Sequence, residues 1–283
     1  MPSEYAVNRR IFSCCESLRS MNPLDGRVLV TGAAGGIGQA LSRALAGRAR
    51  PLVLSARRAD QLSPLSDDLA AEVIECDLED RAALINLVEQ AGEVDLAVLN
   101  AALPASGPLL EYDIDQIDRA LEVNLRAQLV TARLLVEGMV KRRHGHIVFI
   151  SSLAGKAASP GSTLYSATKF GLRGAALSMR QDLARSGVGV SVICPGFVSD
   201  AGMFADSGVR VSKVVGTVTP EQVAAATVTA VDRNKAEIDV APFGLRLGAM
   251  LAQLAPELAA RGQRATGGHK IADQMADSQR SKR

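Results

Sequence analysis

Tyr165 and Lys169 stand four residues apart in Tyr165-Ser166-Ala167-Thr168-Lys169, and Ser152 lies thirteen positions upstream. A spacing of four puts two side chains on one face of a helix, so the Lys169 ammonium can sit beside the Tyr165 phenol. A free phenol titrates near ~10, too high for proton transfer at neutral pH, and a neighbouring cation favours the phenolate and lowers that value. Tyr165 is therefore expected to give or take a proton, with Ser152 holding the oxygen concerned. Taken alone, the same turn also describes a half-buried ring beside a solvated lysine. The upstream sequence discriminates between the two.

Thr31-Gly32-Ala33-Ala34-Gly35-Gly36-Ile37-Gly38 follows the apolar run Arg27-Val28-Leu29-Val30 and opens a helical stretch from Gln39 to Arg48. Strand, glycine turn and helix in that order are the context of a dinucleotide site, because glycines let the backbone approach a pyrophosphate at a helix N-terminus.

In this order and at this distance, the two motifs make the chain resemble the short-chain dehydrogenase/reductase family. The resemblance covers about residues 25 to 240 and implies a Rossmann fold with a catalytic Asn, Ser, Tyr and Lys. Val123-Asn124-Leu125 matches the helix asparagine, Ile150-Ser151-Ser152-Leu153-Ala154-Gly155 the serine segment, and Tyr165 and Lys169 the remaining pair. The implied cofactor positions are Thr31, Gly32 and Ala34, then Gly35, Gly36, Ile37 and Gly38 of the turn. With them go the adenine-side pair Asp77-Leu78, the segment Asn100-Ala101-Ala102, Tyr165 and Lys169 again, and Pro195, Gly196 and Val198 beside the nicotinamide. Two positions depart from the pattern. Ala102 replaces a usual glycine, and Asp200 stands where many relatives carry a threonine; Asp200 is expected to turn away and cap the next helix, as Asp does well, leaving Ser199 as the alternative hydroxyl.

The end of the second expected strand, Leu54-Ser55-Ala56-Arg57-Arg58, bears on the cofactor. An acid there would bind the ribose hydroxyls of NAD(H), and none occurs before Asp60. Arg57 and Arg58 can instead pair with a 2′-phosphate, so NADP(H) is expected in preference to NAD(H). The resemblance then implies a mechanism: hydride passes between the cofactor and a carbonyl carbon, Tyr165 donates the proton, Ser152 bonds the oxygen, Lys169 holds the ribose, and Asn124 supports a water. Oxidation of an alcohol is the same path reversed.

Strands are expected at 27–31, 51–55, 72–76, 94–99, 146–151, 188–194 and 237–241, with helices at about 37–48, 58–70, 79–91, 113–142, 163–186, 220–234 and 245–261. The strands are short continuous apolar runs, as in a parallel sheet covered on both faces. A doubly wound α/β fold of about seven strands follows, with ligands beyond the carboxyl ends. The substrate pocket is expected between 103–112, 153–163 and 196–219. Leu103, Leu153, Phe197, Met203 and Phe204 there suit an apolar ketone, aldehyde or alcohol.

The 283 residues are 47% hydrophobic, enough for a sizeable core, and aromatics at 3% with no Trp leave little for stacking on bases. A net charge of +2 gives no reason to expect nucleic acid. Cys14, Cys15, Cys76 and Cys194 show no metal spacing; free thiols in a reducing cytoplasm are the expectation, and no metal. No run approaches the roughly eighteen apolar residues of a membrane span. Residues 1–23 read as a flexible extension, 24–262 as one Rossmann domain, and 263–283 as a disordered polar tail. Leu247, Met250, Leu251, Leu254 and Leu258 form an apolar stripe, kinked or restarted at Pro256. It is expected over the substrate mouth or against another subunit of a homodimer or homotetramer, with a bilayer as the less favoured contact. A cofactor-binding scaffold without turnover and a membrane-surface reductase are the competing readings; filled catalytic positions favour the active oxidoreductase.

Overall fold

Valine, leucine and isoleucine runs form the strands β1 (Val28–Thr31), β2 (Leu52–Ala56), β3 (Glu72–Glu75), β4 (Leu96–Leu99), β5 (Gly145–Ile150), β6 (Val188–Pro195) and β7 (Glu237–Val240). The computed structural model describes residues 22–200, 202, 204, 205, 208, 216–265 and 268–280. The strands make one parallel sheet in the order β3-β2-β1-β4-β5-β6-β7. β1 is paired on both sides, Val30 standing opposite Leu54 of β2 and Val98 of β4. Between β1 and β4 the strand order reverses, and the crevice beyond their carboxyl ends is where such sheets bind ligands.

Helices cover both faces. On one, α1 (Gly36–Ala46) and α7 (Pro220–Asp232) bury Leu41, Leu45, Val223 and Val231; on the other, α3 (Arg81–Ala91), α5 (Ala127–Arg142) and α6 (Thr163–Asp182) bury Leu84, Leu87, Met139 and Leu172. Each fully buried side chain of this size stabilises the fold by about 1.5–3 kcal/mol relative to leaving it exposed. Starts are set by side chains. Asp80 accepts from the Ala82 amide before α3, and Thr219 with Gln222 closes a reciprocal cap on α7 around Pro220.

Several elements differ from expectation. The stretch expected as helix 58–70 is a 3₁₀ turn, Ala59–Gln61, followed by α2 (Ser63–Leu69), because Pro64 is tolerated only in a first turn. The stretch 113–142 divides into α4 (Ile114–Leu121), a π-helical turn Glu122–Arg126 and α5. Pro256 ends α8 (Phe243–Leu254) and starts α9 (Pro256–Ala265). The apolar stripe on these helices, expected over the substrate mouth or against another subunit, is uncovered among the described residues: Leu247, Met250, Leu251, Leu254 and Leu258 are all exposed. Within 263–283, read as a tail without structure, α10 (Gly268–Gln279) is helical. Ala276 and Gln279 are buried, and Gln279 Oε1 accepts from the Ser106 amide at 3.1 Å; a tertiary contact orders a segment too polar to order itself. Of the expected extension 1–23, residues 1–21 lie outside the described residues, while Asn22 caps the turn Pro23–Asp25 and Leu24 is buried in the core.

Candidate active site

The glycine turn is shaped by two close approaches. Gly32 has φ +64°, and a Cβ on it would meet the Ala101 Cα at 2.7 Å; a Cβ on Gly38 would meet the Gly32 carbonyl at 2.2 Å. No other residue fits either place. Asn100 locks the neighbouring strand end to this turn, its amide nitrogen donating to the carbonyls of Thr31 and Gly32 at 3.2 and 3.1 Å, while its backbone N–H donates to Thr31 Oγ1 at 3.1 Å. Ala102 has no left-handed backbone, so alanine fits where the pattern has glycine. The first turn of α1 has no side-chain cap. Its amide donors face the cleft, the arrangement that receives a phosphate.

Three segments bring the reacting groups together. Ser151 Oγ donates to the Lys169 carbonyl at 2.9 Å, and a Cβ on Gly155 would meet that carbonyl at 2.6 Å, so the serine segment lies directly on α6. Lys169 Nζ donates to the Ile150 carbonyl at 3.0 Å and lies 5.7 Å from the centre of the Tyr165 ring. Ser152 Oγ accepts from the Ala154 amide at 3.1 Å, and its hydroxyl acts on the Tyr165 phenol, drawing its pKa down. Asn124, wholly buried in the π-helical turn, pairs both ways with the Leu103 backbone: its Oδ1 accepts at 2.6 Å and its Nδ2 donates at 3.0 Å. Such turns recur where a helix must aim a side chain.

The expected effect of Lys169 on the phenol is corrected here. Burial pushes the Tyr165 phenol above its ordinary value, with the Ser152 hydroxyl pulling the other way, and burial pushes the Lys169 ammonium down to about 8. Desolvation disfavours the charged form of each and is the largest cause of both shifts. A raised phenol keeps its proton at neutral pH, which is the state a proton donor needs.

A cleft of about 300 Å³ joins both halves. It is lined by Thr31 and Gly32, by Ala34 and Gly35–Gly38, by Asp77 and Leu78, by Asn100–Leu103, and by Arg57, Tyr165 and Lys169. Arg58 points elsewhere, 3.8 Å from Asp60. Ser152, Asn124, Pro195 and Gly196 are not in this lining; Asn124 is bonded to the lining residue Leu103, and Ser152 follows the lining residue Ser151 and donates to the Pro195 carbonyl at 3.4 Å. Val198 is buried in the core, bridged to Val218. Leu153 packs against the core, and Phe197 and Phe204 meet as a tilted ring pair, centroids 4.9 Å apart, outside this cleft. Met203 lies outside the described residues. Asp200 accepts from Ser199 Oγ at 2.6 Å, and the helix cap expected of it falls partly on residues outside that set. Sequence reasoning missed Ser55, Gln61, Cys76, Glu79 and Ser151 in the lining. All lie at or just past the carboxyl ends of β2, β3 and β5, the place to look in a sheet of this order.

Among the described residues no cluster of three His, Cys, Asp or Glu side chains is placed to hold a metal ion, and no helix is long and apolar enough to cross a membrane. Open amides at α1, a glycine cradle, one arginine at the β2 end and an acid beyond β3 fit a dinucleotide.

The short chain dehydrogenase family model matches residues 27–211. The chain is 36% identical over 230 residues to the ketoacyl reductase HetN of Nostoc sp., covering 78% of this chain and 80% of that protein. It is 32% identical over 183 residues to the 3-oxoacyl-[acyl-carrier-protein] reductase FabG of Rickettsia conorii, 63% of this chain and 75% of that one. Among solved structures, a serine dehydrogenase in its closed form complexed with NADP+ superposes with a TM-score of 0.68 at 27% identity, covering 76% of this chain and 94% of that one. The chain belongs to the short-chain dehydrogenase family and is an oxidoreductase acting on CH–OH and C=O groups with a nicotinamide cofactor.

Proposed function

We propose that this protein is an NADP(H)-dependent reductase of a lipophilic ketone or aldehyde, with Tyr165 as the general acid. The observation that carries the reading is that Tyr165 and Lys169 line one cleft together with Arg57, Lys169 Nζ 5.7 Å from the centre of the phenol ring, with burial holding the Tyr165 phenol above its ordinary value. When bound, the reduced nicotinamide supplies the hydride. Ser152 holds the carbonyl oxygen by a hydrogen bond, and Tyr165 passes its proton to that oxygen as negative charge builds there. Lys169, charged below about pH 8, stabilises the phenolate left behind and reaches toward the ribose. Asn124, pinned to the Leu103 backbone, holds the loop that borders the carbonyl.

Arg57 supports NADP(H) over NAD(H): an exposed guanidinium at the end of β2 matches a 2′-phosphate. Leu103 in the lining supports a lipophilic substrate, as do the acyl substrates in the names of HetN and FabG. A reduced NADP pool favours carbonyl reduction over the reverse. Residues 24–262 are proposed as one domain, in a cytoplasmic homodimer or homotetramer; buried free thiols at Cys76 and Cys194 suit a reducing compartment.

The test is a panel of carbonyls and alcohols followed by NADPH oxidation or NADP reduction, with Tyr165→Phe alongside. That substitution keeps the ring and removes the acid, so turnover should fall by about 10²–10⁴-fold while NADPH affinity and melting temperature stay put. Near-normal turnover on any substrate the wild type accepts would remove Tyr165 from the role.

A further inference from the structure

Four charged side chains that the chemistry above leaves unused converge beneath the reacting groups. Lys156, only 7% exposed, follows the Leu153–Gly155 turn and stands four residues after Ser152. Its Nζ pairs with Glu237 and, at 2.5 Å, with Asp239. Arg173 Nε pairs with Glu237 at 2.5 Å from the other side. Arg173 follows Lys169 by one turn and Tyr165 by about two on α6. Glu237 and Asp239 are two apart on β7 and so face the same side of the sheet. Asp239 stands opposite Cys194 in the register, next to Pro195, whose carbonyl accepts from Ser152 Oγ at 3.4 Å.

Each cation thus comes from a segment that carries a reacting group, and both anions come from one strand. The sum of charges is zero, so burial is tolerated; the two carboxylates outweigh desolvation and keep the Lys156 ammonium charged. Apolar residues of similar volume commonly stabilise such a place as well as ions do. What ions add is a fixed distance between the parts they join. The turn between is stiff, since the Lys156 amide donates to the Leu153 carbonyl at 2.9 Å and Gly155 is pressed on α6.

We propose that Lys156, clamped by Glu237 and Asp239 and coupled through Glu237 to Arg173, is a positioning residue that sets the Ser152 hydroxyl against Tyr165. This rests on the roles proposed above for Ser152 and Tyr165; Lys156 itself is not in the cleft lining.

The test is a cycle on the full-length enzyme with Lys156→Met, Ser152→Ala and the double variant, reading kcat and KM on an accepted carbonyl, NADPH affinity and melting temperature. Lys156→Met should lower kcat by roughly tenfold or more, toward the 10²-fold that a misplacement of about 1 Å costs, with NADPH affinity unchanged. In the Ser152→Ala background the same substitution should cost little further, because the hydroxyl it positions is gone. An equal loss of kcat in both backgrounds overturns the proposal and leaves the proposed reaction standing, as does a loss seen only in melting temperature or NADPH affinity. Full turnover in Ser152→Ala overturns the reading beneath it and this proposal together. If Lys156→Met does not fold, Asp239→Asn, which keeps shape and removes one charge, completes the same cycle with the same outcomes.

Discussion

The side of the cleft beyond β1–β3 and the side beyond β4 and β5 are built by different means. In the first, the shape is backbone: Gly32 and Gly38 lie in one turn, and their missing side chains let α1 and the Ala101 segment close in. In the second, bonds between residues far apart in the chain hold the wall segments. Asn124 reaches Leu103 across 21 positions and Ser106 meets Gln279 across 173. A half made of contiguous glycines tolerates little change but announces itself; a half made of long-range contacts can be altered piecemeal.

The largest effect should therefore come from adding one methyl to the first half. Gly32→Ala forces an L residue into φ +64° with Ala101 at 2.7 Å, a strain of about 1–3 kcal/mol before any displacement. NADPH and NADH affinities should fall together by roughly a hundredfold, about 2.8 kcal/mol, with a lower melting temperature. Gly47→Ala, with nothing within 4 Å, should leave both unchanged, and titration by fluorescence checks the pair. Unaltered binding in Gly32→Ala would show that the turn is not the cradle.

A smaller effect, confined to one cofactor, should follow from Arg57→Ala. A charge-assisted hydrogen bond contributes roughly 1.5–3 kcal/mol, so NADPH should weaken by about ten- to a hundredfold while NADH hardly changes. Arg58→Ala should matter less, its side chain being turned to Asp60. Equal losses for both cofactors in Arg57→Ala would move that residue from recognition to fold support.

Much of this was legible in the sequence because local chemistry and tertiary role coincide. The doubly wound sheet follows from short apolar runs, and the glycine turn and the Tyr165–Lys169 spacing lie on neighbouring positions. Two things were not. The direction of the Tyr165 shift depends on how deeply the phenol is desolvated, and no spacing records that. The polar composition of 263–283 argues against order, and its contacts with Ser106, Glu111 and Gly161 are tertiary ones that no local pattern records.

The first of these contacts, with Ser106, gives the smallest expected effect and the sharpest division between the halves. α10 touches two of the three segments expected to wall the substrate: Gln279 receives the Ser106 amide, Arg280 pairs with Glu111 at 3.1 Å, and a Cβ on Gly161 would meet Ala272 at 3.0 Å. Removing one neutral hydrogen bond costs about 0.5–1.5 kcal/mol, so Gln279→Ala should loosen α10 from the mouth and raise KM for the carbonyl by about two- to tenfold. NADPH affinity should not move, because the glycine turn, Asn100 and Arg57 are untouched. Steady-state kinetics beside a cofactor titration separates the two, and a truncation after Ala265 should show the same pattern, enlarged. A change in NADPH affinity with KM held constant would mean that α10 supports the cofactor half, and the division between backbone-built and contact-built walls would not hold.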